Sequence, residues 1–369
     1  MNQFKRPIIK SLRKSLGFFF IRILILCLGA SFSGCKEEVK KPKSLFGRTM
    51  GTTYTVRYFP DLTDSKERSQ KKPQEVKALI DELLKKINQE MSTYMPDSEL
   101  SLINSSNNGK KWHALSPRLF KVLKEAKAIY EMTDGAFDIT VGPLVNLWGF
   151  GPNGERKIPS SEDLKKTRDR VGYHHVIMRE VEKKLKGKEG VYLDLSAIAK
   201  GFAVDEVSAL LSGFGFADHM VEIGGEIKTS GSKKGRPWRL AIESPSTIGQ
   251  SIHKIIGVNT LAMATSGNYR NYFTSNGKSF SHTIDPRTGH PVKHRLASVT
   301  VFDRFSCMKA DALATALMVM GYKKGLEFAE KNGLLAYFIT VPSNERGQKR
   351  FFEKKASTQL KILLGDYFN

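Results

Sequence analysis

The sequence predicts an α+β fold built on a largely antiparallel sheet, and three observations predict it. Four segments carry apolar residues at helical spacing, and six carry short β-branched and aromatic runs. The two kinds do not alternate as strict βαβ units would, which argues against a parallel sheet. The 369-residue chain is long enough for one large domain or two small ones. Beyond residue 35 its single cysteine is Cys307, so no internal disulfide framework supports the fold.

The chain opens with Lys5, Arg6, Lys10, Arg13 and Lys14, then the apolar run Leu16 to Leu28 and small residues up to Cys35. That order marks residues 1–34 as a bacterial export signal. The ending Phe32-Ser33-Gly34-Cys35 resembles a lipobox, in which Cys35 is lipidated and becomes the first mature residue. Arg22 within the apolar stretch and Phe32 in an aliphatic position leave an uncleaved membrane anchor as the alternative. Residues 35–45 read as the lipidated cysteine with a polar tether, and residues 46–369 as the catalytic domain. The expected location is a bacterial cell envelope, with the protein lipid-anchored to a membrane and facing the periplasm or the exterior.

Phe46 to Tyr58 reads as a strand and Pro60 to Pro73 as a charged loop. Val76, Leu79, Ile80, Leu83, Leu84 and Ile87 then predict an amphipathic helix over Gln74 to Met91. A second helix fits Pro117 to Met132, with Ser116 as its cap and Pro117 in its first turn. A third fits Ala197 to Ser212, and a fourth Cys307 to Met320, where Cys307 reads as a small buried residue. Strands are expected at Val191–Leu195, His219–Ile223, Trp238–Glu243, Ser298–Phe302 and Leu335–Val341.

The formal charge is +22; six basic and no acidic residues precede Cys35, so the remainder still carries +16. Such a field attracts anions. The basic residues are scattered and form no nucleic-acid motif, so a lysine-rich surface accounts for them. No HExxH pair, zinc-spaced cysteines, GxSxG elbow, Walker loop or well-placed GxGxxG is present, which removes the commoner hydrolases, ATPases and nicotinamide enzymes.

Four stretches can carry chemistry. In Thr133 to Gly154, Gly135, Gly142, Gly149, Gly151 and Gly154 permit close backbone approach, and Phe137 and Trp148 offer ring faces to a planar heterocycle; a plain loop has the same composition. At Asp194 to Gly201 a strand meets a helix start beside Lys200, either an anion site or an ordinary capped helix. In Ser281 to Gly289, His282 and Asp285 suit a proton acceptor and a positioning carboxylate, or a hairpin with an incidental histidine. On the last helix, Asp311 and Thr315 are four apart and project from one face, as a hard cation such as magnesium requires, or as a threonine bonded to its own helix.

The wording and order of these stretches closely resemble the ApbE family, the FAD:protein FMN transferases of bacterial envelopes, from about Phe46 to Phe338. MGTTY from Met50, MSTYMPDSELS from Met91, TDGAFDITVGPLVNLWGFGP, DLSAIAKGFAVD, VEIGGEI, ATSGNYRNYF, SHTIDPRTGHPV and ADALATALMVMG carry the resemblance in order. It implies mixed α/β layers with FAD in a groove between them, and Mg²⁺-dependent transfer of FMN from FAD to a Thr or Ser hydroxyl of an acceptor protein, releasing AMP. Met50, Tyr94, Ala136, Phe137, Asp138, Asp194, Lys200, Ile284 and Asp285 would then hold FAD. Asp311, Thr315 and the backbone carbonyl of Ala197 would hold magnesium, with His282 as proton acceptor and Asp285 as runner-up. Some members carry a further Asp where this chain has Ala314, which leaves the ligand set one carboxylate shorter. Implied acceptors are subunits of the sodium-translocating NADH:quinone reductase and related electron-transfer proteins. An FAD pyrophosphatase and a non-catalytic FAD-binding lipoprotein are the rival readings of the same pocket.

Overall fold

The computed structural model describes residues 41–60, 71–151, 155–245, 251–268, 272–275, 277–341 and 352–368. The export signal, Cys35, most of the tether, the heart of the loop from Pro60 to Pro73, and Gly154 lie outside the described residues. Among the described residues, no helix is long and apolar enough to cross a membrane.

One eight-stranded sheet organises the chain. Its strands are β1 Lys43–Thr49, β2 Thr52–Tyr58, β3 His219–Ile223, β4 Glu226–Ser230, β5 Leu261–Gly267, β6 Leu296–Asp303, β7 Leu335–Thr340 and β8 Glu353–Ala356. They lie side by side in chain order, and every neighbouring pair is antiparallel. The other elements are inserted between neighbours, except for a C-terminal helix that follows β8. The helices are α1 Pro73–Met91, α2 Glu99–Ser106, α3 Pro117–Met132, α4 Gly142–Leu147, α5 Ser161–Arg168, α6 Ala199–Gly213, α7 Cys307–Met320, α8 Tyr322–Lys331 and α9 Thr358–Phe368.

The period of two along the strands sorts side chains to two cores. Ala262, Ala264, Val299 and Val301 face α7, and Ala336 and Phe338 face α8, where the Tyr322 ring meets that of Phe338. Leu261, Met263, Phe302, Tyr337 and Ile339 face the other way, against a hairpin of Trp238–Glu243 with Ile252–Val258 and against Leu360 and Phe368 of α9. Helix α7 is buried on nearly every side, as its largely apolar sequence requires. Asp311 is therefore a charge in the middle of the molecule.

Helices α3 and α7 have the predicted bounds, and the Ser116 hydroxyl caps α3 by accepting from the Leu119 amide. Three expectations need correction. The single strand from Phe46 to Tyr58 is a hairpin that begins at Lys43, so part of the expected tether is strand. Its two-residue turn, Met50 (φ 48°) and Gly51 (φ 72°), needs positive φ at both positions, and a run of β-formers hides it. Val191–Leu195 joins no ladder among the described residues; the Asn104 amide exchanges two hydrogen bonds with Leu193, and the Asp194 N–H donates to the Ile139 carbonyl. Finally, α6 begins at Ala199 rather than Ala197, because residues 196–198 form a turn.

Candidate functional site

Helices α6 and α7 cross closely because a glycine stands between them. A Cβ on Gly201 would lie 2.4 Å from the Cys307 carbonyl oxygen and 2.8 Å from the Asp311 Cβ. At this distance the two helices cap each other. The Gly201 N–H, in the first turn of α6, donates to Asp311 Oδ2 at 3.0 Å. In return Asp205 of α6 accepts from the Cys307 and Met308 amides at the start of α7, both at 3.0 Å, from the Ser306 hydroxyl at 3.0 Å, and from Lys228 Nζ at 2.7 Å. Each carboxylate satisfies orphan N–H donors at a positive helix end.

Next to Asp311 stand Lys200 and Glu226. Lys200 Nζ lies 2.7 Å from Glu226 Oε1, and Glu226 is only 3% exposed. Burial pushes the Glu226 carboxyl up to about 7; Lys200 opposes the shift, and the charge of Asp311 reinforces it. For Lys200 burial acts downward, but Asp311 and Glu226 outweigh it and hold the ammonium charged. Glu226 Oε2 is buried without a hydrogen-bond partner among the described residues. Thr315 lies one turn beyond Asp311 on α7, its hydroxyl 3.2 Å from that of Ser266 on β5.

This cluster backs onto a cavity of about 220 Å³ lined by Met50, Met91, Thr93, Tyr94, Leu195, Ser196, Ala199 and Lys200, among others. Met50 reaches it from the β1–β2 turn. Tyr94, 71% exposed, offers an uncovered ring at its edge. The structure thus brings together Met50, Tyr94 and Lys200 of the predicted binding residues, with Asp311 behind Lys200. Ala197 is in the turn that leads into α6, and the Asp194 carboxylate accepts from the Ser196 amide at 2.8 Å.

The other predicted residues lie elsewhere or are already engaged. Phe137 and Trp148 are 2% exposed and offer no ring face: Phe137 belongs to the main core, and the Trp148 indole N–H donates to the Gly289 carbonyl. Ala136 is buried as well. Burial pushes the Asp138 carboxyl up; its Oδ1 accepts from the amide and hydroxyl of Thr140, and the residue borders a second cleft, about 610 Å³, with Gly135, Arg168 and Arg287. Ile284 is buried against Leu144 and Trp148. Both oxygens of Asp285 are held by the Arg287 guanidinium at 2.9 Å, which makes this carboxylate an ion-pair partner rather than a ready base. His282 is half-buried, with its ring edge-on to Phe150 at 6.3 Å. These segments still adjoin: Arg287 Cγ lies 3.7 Å from where a Gly135 Cβ would be.

Sequence reasoning missed two residues that organise the site, Asp205 and Glu226. Both lie inside quoted motifs, DLSAIAKGFAVD and VEIGGEI. The burial of Glu226 and the half-burial of Asp205 have no sequence signal, because an isolated Asp or Glu ordinarily reads as surface.

Among the described residues no group of three or more His, Cys, Asp or Glu side chains surrounds a metal position. The Asp311 and Thr315 pair nevertheless fits a hard cation. It supplies a carboxylate and a hydroxyl, all oxygen, in a buried cluster of two acidic side chains and one lysine that contains an unpartnered carboxylate oxygen.

Residues 50–339 match the ApbE family. The chain is 45% identical over 336 residues to the FAD:protein FMN transferase of Vibrio cholerae, covering 90% of this chain and 95% of that protein. It is 43% identical over 330 residues to that of Haemophilus influenzae, with 87% and 93% covered. Among solved structures it is similar to the flavin transferase ApbE from Vibrio cholerae, with a TM-score of 0.74, 40% identity and 87% and 99% of the two chains covered. It is also similar to the apo flavinyl transferase ApbE of Pseudomonas stutzeri, with a TM-score of 0.77, 35% identity and 88% and 97% covered.

Proposed function

The chain belongs to the ApbE family and is a FAD:protein FMN transferase, and from that premise we propose how it carries out the transfer. A Thr or Ser hydroxyl of the acceptor protein attacks the FMN-side phosphorus of FAD. The bond from that phosphorus to the bridging oxygen breaks, AMP leaves with the oxygen, and FMN remains on the acceptor as a phosphoester. The hydroxyl proton passes to a base, for which His282 is the candidate.

The observation that carries this reading is the charged Lys200 on the wall of a cavity edged by the exposed Tyr94 ring, with Asp311 directly behind it. Tyr94 and Met50 supply apolar surface for a planar ring. Lys200 supplies a cation for the pyrophosphate. Asp311, Thr315 and the Ala197 carbonyl would hold magnesium, which when bound supplies charge neutralisation for the phosphates. Lys200 and the backbone around Ser196 keep the pyrophosphate next to those ligands and in line for attack. Cys35 would carry the lipid that anchors the enzyme in a bacterial envelope, a reading that rests on residues 1–35 of the sequence alone.

The test is to incubate the chain from Lys36 onward with FAD, magnesium and an acceptor subunit, then measure the acceptor's intact mass. A gain of one FMN that disappears in EDTA is the expected result. AMP accumulating beside an unmodified acceptor would instead show a pyrophosphatase, and intact bound FAD a binding protein.

A further inference from the structure

Glu226 is the first residue of β4, immediately after the two-glycine turn at Gly224 (φ 59°) and Gly225 (φ 102°). A carboxylate costs several kcal/mol to bury unless its oxygens are paired. Asp205, nearby on α6, has both oxygens paired. Glu226 does not: Oε1 holds Lys200 at 2.7 Å while Oε2, also inside this nearly buried residue, has no partner among the described residues. Glu226 therefore contributes less to the fold than a fully paired carboxylate such as Asp205 would.

The surroundings of Lys200 point the same way. Its stem runs over the glycine turn, where a Cβ on Gly224 would lie 3.5 Å from Lys200 Cδ. Its side chain is 29% exposed and forms part of the cavity wall. An ammonium has three donors, and Glu226 takes one of them from behind. Lysine also carries about 2 kcal/mol of rotamer entropy, and a ligand that had to order the side chain itself would bind more weakly for it.

We propose that Glu226 is the positioning residue for Lys200, holding its ammonium in place at the back of the cavity so that the remaining N–H donors meet the pyrophosphate of FAD. The inference rests on the reading of the cavity as the FAD site. Glu226 touches no reacting atom in this scheme and acts through Lys200.

The experiment is a double-mutant cycle on the full chain, with FAD affinity read by flavin fluorescence in EDTA, and KM and kcat for transfer read with magnesium. Lys200→Met weakens FAD binding about tenfold or more, the value of one charged hydrogen bond. Glu226→Asp, which retracts the carboxylate by one methylene, raises Kd and KM for FAD by a similar factor with a smaller change in kcat. Glu226→Gln, which keeps an acceptor in place, stays within about threefold of wild type because the bond's geometry survives. In the Lys200→Met background the Glu226→Asp effect disappears.

Equal effects of Glu226→Asp in both backgrounds would overturn the proposal. So would a Glu226→Gln loss as large as that of Lys200→Met, which would make charge rather than place the important property. Should Glu226→Asp fail to fold, the Gln arm decides alone. If Lys200→Met binds FAD as wild type does, the FAD reading of the cavity fails and the proposal with it. If Lys200→Met weakens binding and Glu226→Asp does not, the proposal alone fails.

Discussion

Two lysine–carboxylate pairs lie beside the crossing of α6 and α7, each with a 2.7 Å contact. Lys228 with Asp205 is a closed arrangement, since two backbone amides and a hydroxyl complete the acceptor sites of Asp205. Lys200 with Glu226 is open: one oxygen lacks a partner among the described residues, a second acid at Asp311 presses on the pair, and the lysine reaches a cavity. The same bond length therefore serves two purposes. Where every lone pair is occupied the pair stabilises the helix crossing, and where one is left over the lysine of the pair reaches a cavity.

Three changes test that difference. Asp311→Asn keeps an acceptor for the Gly201 amide and removes the charge, so folding survives while transfer falls by about a thousandfold or more, the loss of several kcal/mol of phosphate stabilisation. Steady-state rates against magnesium concentration check it, and an unchanged initial rate would remove Asp311 from the metal site. Asp205→Ala has the opposite pattern. It strips both the α7 cap and the partner of Lys228 and lowers stability by about 3–5 kcal/mol, while FAD affinity per folded molecule stays at the wild-type value. Urea unfolding, together with flavin fluorescence on the folded fraction, separates the two.

Tyr94→Ala has the smallest effect. Losing an exposed ring weakens FAD binding by about 1–3 kcal/mol, the worth of one stacked base, and leaves the unfolding midpoint unchanged. A fallen midpoint with unaltered FAD affinity would return Tyr94 to the ordinary surface.

The comparison also explains how far the sequence could be read. Helices α3 and α7 were legible because capping and periodicity are local: Ser116-Pro117 starts one, and a largely apolar run buries the other. The antiparallel sheet was legible from the irregular succession of elements. The turn at Met50-Gly51 was not, because its neighbours are all good strand formers and only the backbone shows the reversal. Phe137 and Trp148 were legible as large apolar residues, but whether such a ring faces a ligand or the core depends on distant segments, here Gly289 for the Trp148 indole. Asp311 and Thr315 could be paired by helical spacing. Glu226 could not be added to them, because its place beside Lys200 depends on α6 being docked against the β3–β4 turn.

The strand order of the sheet bears on when the cavity comes into being. Strands β3 to β8 are neighbours both in the chain and in space, so their pairings close comparatively short loops. The β2–β3 pairing instead joins Tyr58 to His219 across an insertion that contains α1 to α6. Closing so long a loop carries the largest entropic cost in the sheet, which places the docking of the N-terminal hairpin late in folding. Met50 sits at the tip of that hairpin. The wall it contributes is thus among the last parts to arrive, and a chain that has assembled α7 with Asp311 and β4 with Glu226 still lacks a finished pocket until the hairpin docks.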